Sequence, residues 1–205
     1  MFNKNIEQFI FASSSAIYGD QGNKWLNEST DQFSPISNYG VAKLAAEGFI
    51  RTSPYLDQIS TRIYRFPNVI GTPLTHGVIH DLYLKLQKRP HSIEVLGNGY
   101  QQKPFLHVQD LINEMVKLNS VGEIFEVFNI GPNDEGITIK NLAEVLRDEI
   151  STDTELTYQQ SSSGWRGDIP KYYFDISKAL EHGMNPNLKS LDAVQKVSTE
   201  LKLIE

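Results

Sequence analysis

Residues 8–12, Gln-Phe-Ile-Phe-Ala, restrict the fold more than any other stretch, because they form an apolar run with no polar alternation. That is the pattern of a strand covered on both faces. The run breaks into Ser13-Ser14-Ser15. Residues 60–66, Ser-Thr-Arg-Ile-Tyr-Arg-Phe, read as a second such strand and break into Pro67-Asn68-Val69-Ile70-Gly71. Strands covered on both faces belong to parallel sheets, whose crossover connections lay helices over them.

The helices are legible between the strands. Ser37 or Asn38 can cap one whose apolar positions Val41, Leu44, Ala45, Phe49 and Ile50 fall near helical spacing. Gly77 and Pro90 bound another over residues 78–87. A short strand at 93–96 runs into Gly97-Asn98-Gly99, a turn with positive φ available. Residues 105–108 lead to Asp110, which is expected to start a helix through Leu118. A strand near 127–130 follows. Thr138 then caps an amphipathic helix with Ile139, Leu142, Val145, Leu146 and Ile150 on one side. A strand at 156–158, a Ser/Gly loop at 161–164 and short helices near 176–181 and 191–201 complete the chain. Residues 19–37 form a polar connection of a length that suggests a functional or covering loop. Strands alternating with helices predict an α/β fold with a largely parallel sheet.

Composition narrows the function classes. The 205 residues can bury a full core, and 40% apolar with 21% charged residues is ordinary for a globular chain. The net charge of −6 comes without any basic run, so neither nucleic acid nor an anionic membrane surface is expected as a partner. Zero cysteines exclude disulfides and thiolate chemistry. No apolar run approaches the length of a membrane span, and the first residues lead into a polar segment rather than a signal-peptide core; a soluble, cytoplasmic protein is expected. The five histidines offer no metal-ligand spacing, so no metal is expected.

The chemistry concentrates in Tyr39 and Lys43, four apart and therefore on one face of their helix. An ammonium beside a phenol favours the phenolate. Such a pair can take a proton from an alcohol if a third group holds the substrate. The serine run, at the carboxyl end of a parallel strand where ligands of open α/β sheets gather, supplies that group.

Ser-Ser-Ser-Ala-Ile-Tyr-Gly at 13–19, Tyr39-x-x-x-Lys43, Arg65-Phe66-x-Asn68-x-x-Gly71, Leu96-Gly97-Asn98-Gly99, Phe105-Leu106-His107-Val108-x-Asp110 and Arg166-Gly167-Asp168 occur in this order. Together they resemble the ordered signatures of the extended short-chain dehydrogenase/reductase family, and within it the nucleotide-sugar 4-epimerases, UDP-glucose 4-epimerase-like, and related dehydratases. The resemblance implies NAD as cofactor and a nucleotide-diphosphate sugar as substrate. It implies Tyr39 as catalytic base, Lys43 as the group on the nicotinamide ribose, and Ser14 as the hydroxyl that holds the reacting sugar oxygen. Ser13, Phe66 and Val69 match positions beside the cofactor, although Ser13 and Ser15 read equally as strand-end hydroxyls that satisfy backbone groups. Asn68, Lys103, Arg166 and Asp168 match substrate-binding positions, with Lys103 standing where relatives commonly carry arginine. His107 is expected to be structural. A homodimer is implied through the helix that carries Tyr39.

The family begins with a strand, a glycine-rich turn and a helix that receive the cofactor pyrophosphate. This sequence contains no Gly-x-x-Gly-x-x-Gly. The resemblance therefore implies the carboxyl part of a Rossmann-like, mostly parallel sheet with a smaller α/β substrate-binding region. Residues 1–71 and 103–131 are expected in the dinucleotide-binding part, and 72–102 and 132–205 in the substrate-binding region. Family 4,6-dehydratases carry an acid-base pair after the catalytic hydroxyl, where this chain has Ser15 and Ala16. Alanine moves no proton, so a 4-epimerase is expected ahead of a dehydratase or reductase. A non-catalytic nucleotide-sugar-binding subunit is the alternative from another class.

Overall fold

A computed structural model describes residues 6–162, 164 and 167–203. In chain order the elements are β1 (Gln8–Ser14), β2 (Trp25–Leu26), α1 (Asn38–Arg51), β3 (Ser60–Phe66), β4 (Asn68–Ile70), α2 (Val78–Leu86), β5 (Ser92–Val95), β6 (Gln102–Lys103), β7 (Phe105–His107), α3 (Val108–Leu118), β8 (Phe125–Asn129), β9 (Ile137–Thr138), α4 (Ile139–Ile150), β10 (Glu155–Tyr158), β11 (Tyr173–Phe174), α5 (Ser177–Glu181) and α6 (Ser190–Lys202). The α/β fold predicted from the sequence is the fold observed.

β1, β3 and β8 form a parallel sheet in the order β1-β3-β8. β3, between two strands, is buried from Thr61 to Arg65, as its unalternating sequence requires. β1 departs from that expectation. It lies at the sheet edge, Phe9 and Ile10 stay exposed, and only its end at Ser13 and Ser14 is buried. α1 covers one face of the sheet and α3 the other, where Tyr64 Oη donates to the Met115 carbonyl at 3.3 Å.

Ser37 caps α1 by accepting from Gly40 N at 3.1 Å, and Thr138 caps α4 in the same way at Asn141 N. The start of α3 differs from the sequence expectation. The cap is His107, whose Nδ1 accepts from Gln109 N at 3.1 Å. Asp110 lies inside the first turn, buried, and its carboxylate instead accepts from Asn187 Nδ2 and Leu188 N, tying the carboxyl-terminal segment to α3.

Two apolar clusters build the interior. One joins Tyr18, Leu26, Tyr64, Leu106, Phe128 and Phe174 around the sheet. The other joins α2, α4, α6 and β5 through Ile79, Leu86, Val95, Leu142, Leu146 and Val197. Fully buried side chains such as Leu142 and Leu146 contribute about 1.5–3 kcal/mol each relative to exposure. The polar connection at 19–37 is held as a covering loop. β2 within it pairs with β11, and Gly19, at φ +69°, lies so close to Ser34 that a Cβ would meet its carbonyl oxygen at 1.8 Å. Two-residue strands carry no periodicity, so pattern reading does not find them.

Candidate active site

β1 ends at Ser14, and the chain enters a 3-10 turn at Ser15–Ile17. Ser14 caps that turn, its Oγ accepting from Ala16 N at 3.2 Å. A hydroxyl that accepts in this way keeps its own proton for a ligand. The first turn of α1 packs directly on this bend. At Gly40 a Cβ would stand 2.6 Å from the Ala16 carbonyl oxygen, so a side chain there would hold the helix away. Tyr39, next to it, is 55% exposed and shares with Ser14 the lining of a cavity of about 760 Å³. That volume lies within the usual range of small-ligand sites.

One turn along α1, Lys43 Nζ donates to the Ala12 carbonyl at 2.8 Å. It stands 5.6 Å from the Tyr39 ring centroid and 5.1 Å from that of Phe11, within cation-π reach of both. The pairing expected from i, i+4 spacing is thus formed, with the lysine behind the tyrosine and tied to the strand that ends at Ser14.

A second tyrosine lines the cavity. Tyr172 Oη accepts from Ser15 Oγ at 3.3 Å and from Asn68 Nδ2 at 3.4 Å, and Asn68 Nδ2 also faces the Pro104 carbonyl at 3.3 Å. Burial pushes the Tyr172 phenol far above its ordinary range, with the Ser15 hydrogen bond only partly opposing it. It therefore serves as a neutral hydrogen-bonding group and not as a base. Of the two tyrosines on the lining, Tyr39 is exposed and Tyr172 is buried.

The other end of the cavity is charged. Lys103 Nζ is ion-paired with Asp168 Oδ1, and Asp168 Oδ2 accepts from Gly164 N at 3.0 Å. Both side chains are largely buried, so a ligand anion at Lys103 would meet a cation already partnered. Phe66, Val69, Leu74 and Val78 supply the apolar wall between the two ends.

Of the residues singled out from sequence, Ser14, Tyr39, Phe66, Asn68, Val69, Lys103 and Asp168 come together on this one lining. Lys43 stands behind it. Ser13 is fully buried and turns its hydroxyl away, donating to Glu47 Oε1 at 2.6 Å. Arg166 lies outside the described residues. Sequence reasoning missed Ser15 and Tyr172 as members of the site.

A further network lies beneath the first turns of α1. Arg65, fully buried, donates from Nε to Glu47 Oε1 at 2.9 Å and from Nη2 to Oε2 at 2.6 Å. Its Nη1 donates to Tyr18 Oη at 2.9 Å, and Tyr18 Oη donates to Asn129 Oδ1 at 2.8 Å. Burial opposes the Arg65 charge, but the Glu47 hydrogen bonds and the neighbouring Tyr18 outweigh it and hold the guanidinium above its ordinary value. Burial likewise pushes the Tyr18 phenol up to about 12, against the pull of Arg65. Among the described residues, no three His, Asp or Glu side chains gather to hold a metal ion, and no helix is long and apolar enough to cross a membrane.

A family model described as the NAD dependent epimerase/dehydratase family matches residues 1–131. A Methanocaldococcus jannaschii protein assigned by name to UDP-glucose 4-epimerase is 27% identical over 203 residues, covering 97% of this chain and 64% of its own length. The mouse dTDP-D-glucose 4,6-dehydratase is 25% identical over 199 residues, covering 95% of this chain and 56% of its own. A solved UDP-galactose 4-epimerase superposes with a TM-score of 0.79 at 27% identity, over 97% of this chain and 64% of that one. The chain therefore spans just under two thirds of the length of these 4-epimerase relatives.

Proposed function

This chain belongs to the NAD dependent epimerase/dehydratase family, and from that premise we propose that it acts on a nucleotide-diphosphate sugar as a 4-epimerase-type enzyme using NAD. The observation that carries the proposal is a single cavity whose lining brings together Tyr39, Ser14, Asn68, Lys103 and Asp168. In this reading Tyr39 takes the proton of the sugar 4-hydroxyl and later returns it. Ser14 donates its free proton to the same oxygen, and Lys43 keeps a positive charge beside the phenol ring. Lys103 and Asn68 hold the diphosphate, with Arg166 and Asp168 assigned to phosphate and ribose by resemblance.

The residues present fit the nicotinamide end of the cofactor. The cavity is mostly apolar, holds the exposed Tyr39, and is walled by Phe66 and Val69, with the Lys43 ammonium close to the Tyr39 ring. Bound NAD supplies a hydride acceptor that becomes the donor for the return step. Ser13 belongs to that end only through its main chain, because its hydroxyl is committed to Glu47.

The 4-epimerase assignment rests on Ala16 and Ser15. The first moves no proton, and the second is bonded to neutral Tyr172, so the acid-base pair needed to eliminate water is not there. The division into residues 1–71 and 103–131 against 72–102 and 132–205 is supported in part by the two apolar clusters, although residues 172–184 pack with the sheet and Ile70 and Phe105 pack with α2, α4 and α6. The exposed Val41 and Phe49 on α1 support a homodimer, and we take the cytoplasm as the compartment.

A second reading is binding of a nucleotide sugar through Asn68 and Lys103 without turnover. Incubation of the purified chain with NAD and UDP-glucose or UDP-galactose separates the two. Interconversion with transient NADH absorbance, lost in Tyr39→Phe, is the expected result. Calorimetric binding of the sugar nucleotide with no binding of NAD would replace the first reading by the second.

A further inference from the structure

Tyr39, Lys43 and Glu47 are spaced i, i+4, i+8 and form one stripe of α1 facing the sheet. Each holds the helix differently. Gly40, next to Tyr39, lets the first turn reach Ala16; Lys43 bonds the Ala12 carbonyl; Glu47 is engaged by both Ser13 and Arg65. Ser13 and Arg65 are direct partners in the register of β1 and β3. Their donors, Oγ and Nε, converge on the same carboxylate oxygen, Glu47 Oε1. The carboxylate therefore locks three elements at once: the helix with the tyrosine, the strand ending at Ser14, and the central strand.

We propose that Glu47 is a positioning residue, whose buried pair with Arg65 sets the register of the Tyr39–Lys43 helix against Ser14. Ser13 and Ser14 are chemically identical neighbours that face opposite sides of the strand. A slip of one residue that brought Ser13 to the cavity in place of Ser14 would put Ala12 beneath the helix. The Glu47–Arg65 pair opposes that slip, because its carboxylate takes the Ser13 hydroxyl and Ala12 has none to offer. Arg65 is itself fixed, its guanidinium lying 5.2 Å from the Tyr18 ring centroid and 5.1 Å from that of Phe33. Burying a charge pair gains little stability over an apolar pair of the same shape, so register is the better account of its presence here.

This inference rests on the catalytic reading of Tyr39 and Ser14 for its kinetic consequence, but not for its structural one. Two variants test it: Glu47→Leu/Arg65→Met, which replaces the pair with apolar groups, and Glu47→Asp, which keeps the charge and shortens the reach. The Tyr39 ring and Lys43 side-chain NMR signals, assigned through Tyr39→Phe and Lys43→Arg, report the helix position, and thermal unfolding reports the fold. The expected result is that both signals move in each folded variant while signals from Leu142 and Leu146 in the second cluster stay put. If the apolar pair does not fold, Glu47→Asp carries the test alone. Unchanged Tyr39 and Lys43 signals in a folded variant would overturn the proposal. In the turnover assay, kcat is expected to fall about a hundredfold with KM for the sugar nucleotide unchanged. A wild-type chain without turnover would count against the proposed function, while the NMR result would still decide the role of Glu47.

Discussion

Ser13 and Arg65 stand opposite each other across the β1–β3 pairing, and both donate to one oxygen of Glu47, at 2.6 and 2.9 Å. The adjacent Ser14 takes no part in that contact and lies instead on the cavity lining. Two neighbouring serines thus have separable roles.

Ser13→Ala should lower stability by about 1.5–3 kcal/mol, the usual contribution of a hydrogen bond to a charged group. Ser14→Ala, which loses only the cap on Ala16 N, should cost about 0.5–2 kcal/mol and reduce turnover by roughly 10²–10³, the typical loss of one donor on a reacting oxygen. Urea unfolding and steady-state kinetics on both variants check the contrast.

Gly40→Ala inverts the expectation from helix propensity. Exchanging glycine for alanine inside a helix ordinarily stabilises by about 1 kcal/mol. Here the new Cβ would meet the Ala16 carbonyl oxygen at 2.6 Å and Pro35 Cβ at 2.9 Å. We expect a net loss of about 1–3 kcal/mol, together with reduced turnover as Tyr39 moves away from Ser14. A rise in melting temperature would contradict this account of the helix contact.

At the charged end, Lys103→Met removes the partner of Asp168, which is 6% exposed, and should cost about 1–3 kcal/mol. It should also weaken UDP binding roughly tenfold and flatten its salt dependence. Calorimetric titration of UDP at two ionic strengths makes the measurement.

His107 gives a pH dependence of defined sign. Burial, with help from Lys196 and against Glu200 and Asp110, lowers its pKa below the ordinary value of about 6.5. The unfolded chain therefore takes up a proton first as pH falls, and stability is lost from about pH 6.5 down to the lowered value. His107→Asn retains a cap for α3, since asparagine can accept from Gln109 N. Its melting temperature should fall less between pH 7.5 and 5.5 than that of the wild type.

Much of the fold was legible because it follows from local geometry. Unalternating runs marked β1 and β3, and a serine and a threonine placed before apolar stripes marked the starts of α1 and α4. The Tyr39–Lys43 face needed only the helical repeat of 3.6 residues. Local geometry also carried its own errors. Asp110 has the residue type of a helix start, but His107 holds the cap because packing draws the aspartate carboxylate to Asn187 and Leu188.

Chain pattern sufficed for the α/β class, the positions of the main strands and the spacing of the tyrosine and lysine, since each depends on residues a few positions apart. Contacts between residues distant in the chain depended on packing. Ser15 meets Tyr172, Lys103 meets Asp168, and Arg65 meets Glu47 through approaches that no period encodes. Strand alternation states that Ser13 and Ser14 face opposite ways but not which of them faces the cavity. That choice belongs to the tertiary structure, where a buried carboxylate and guanidinium leave one serine hydroxyl under the helix and the next free for a ligand.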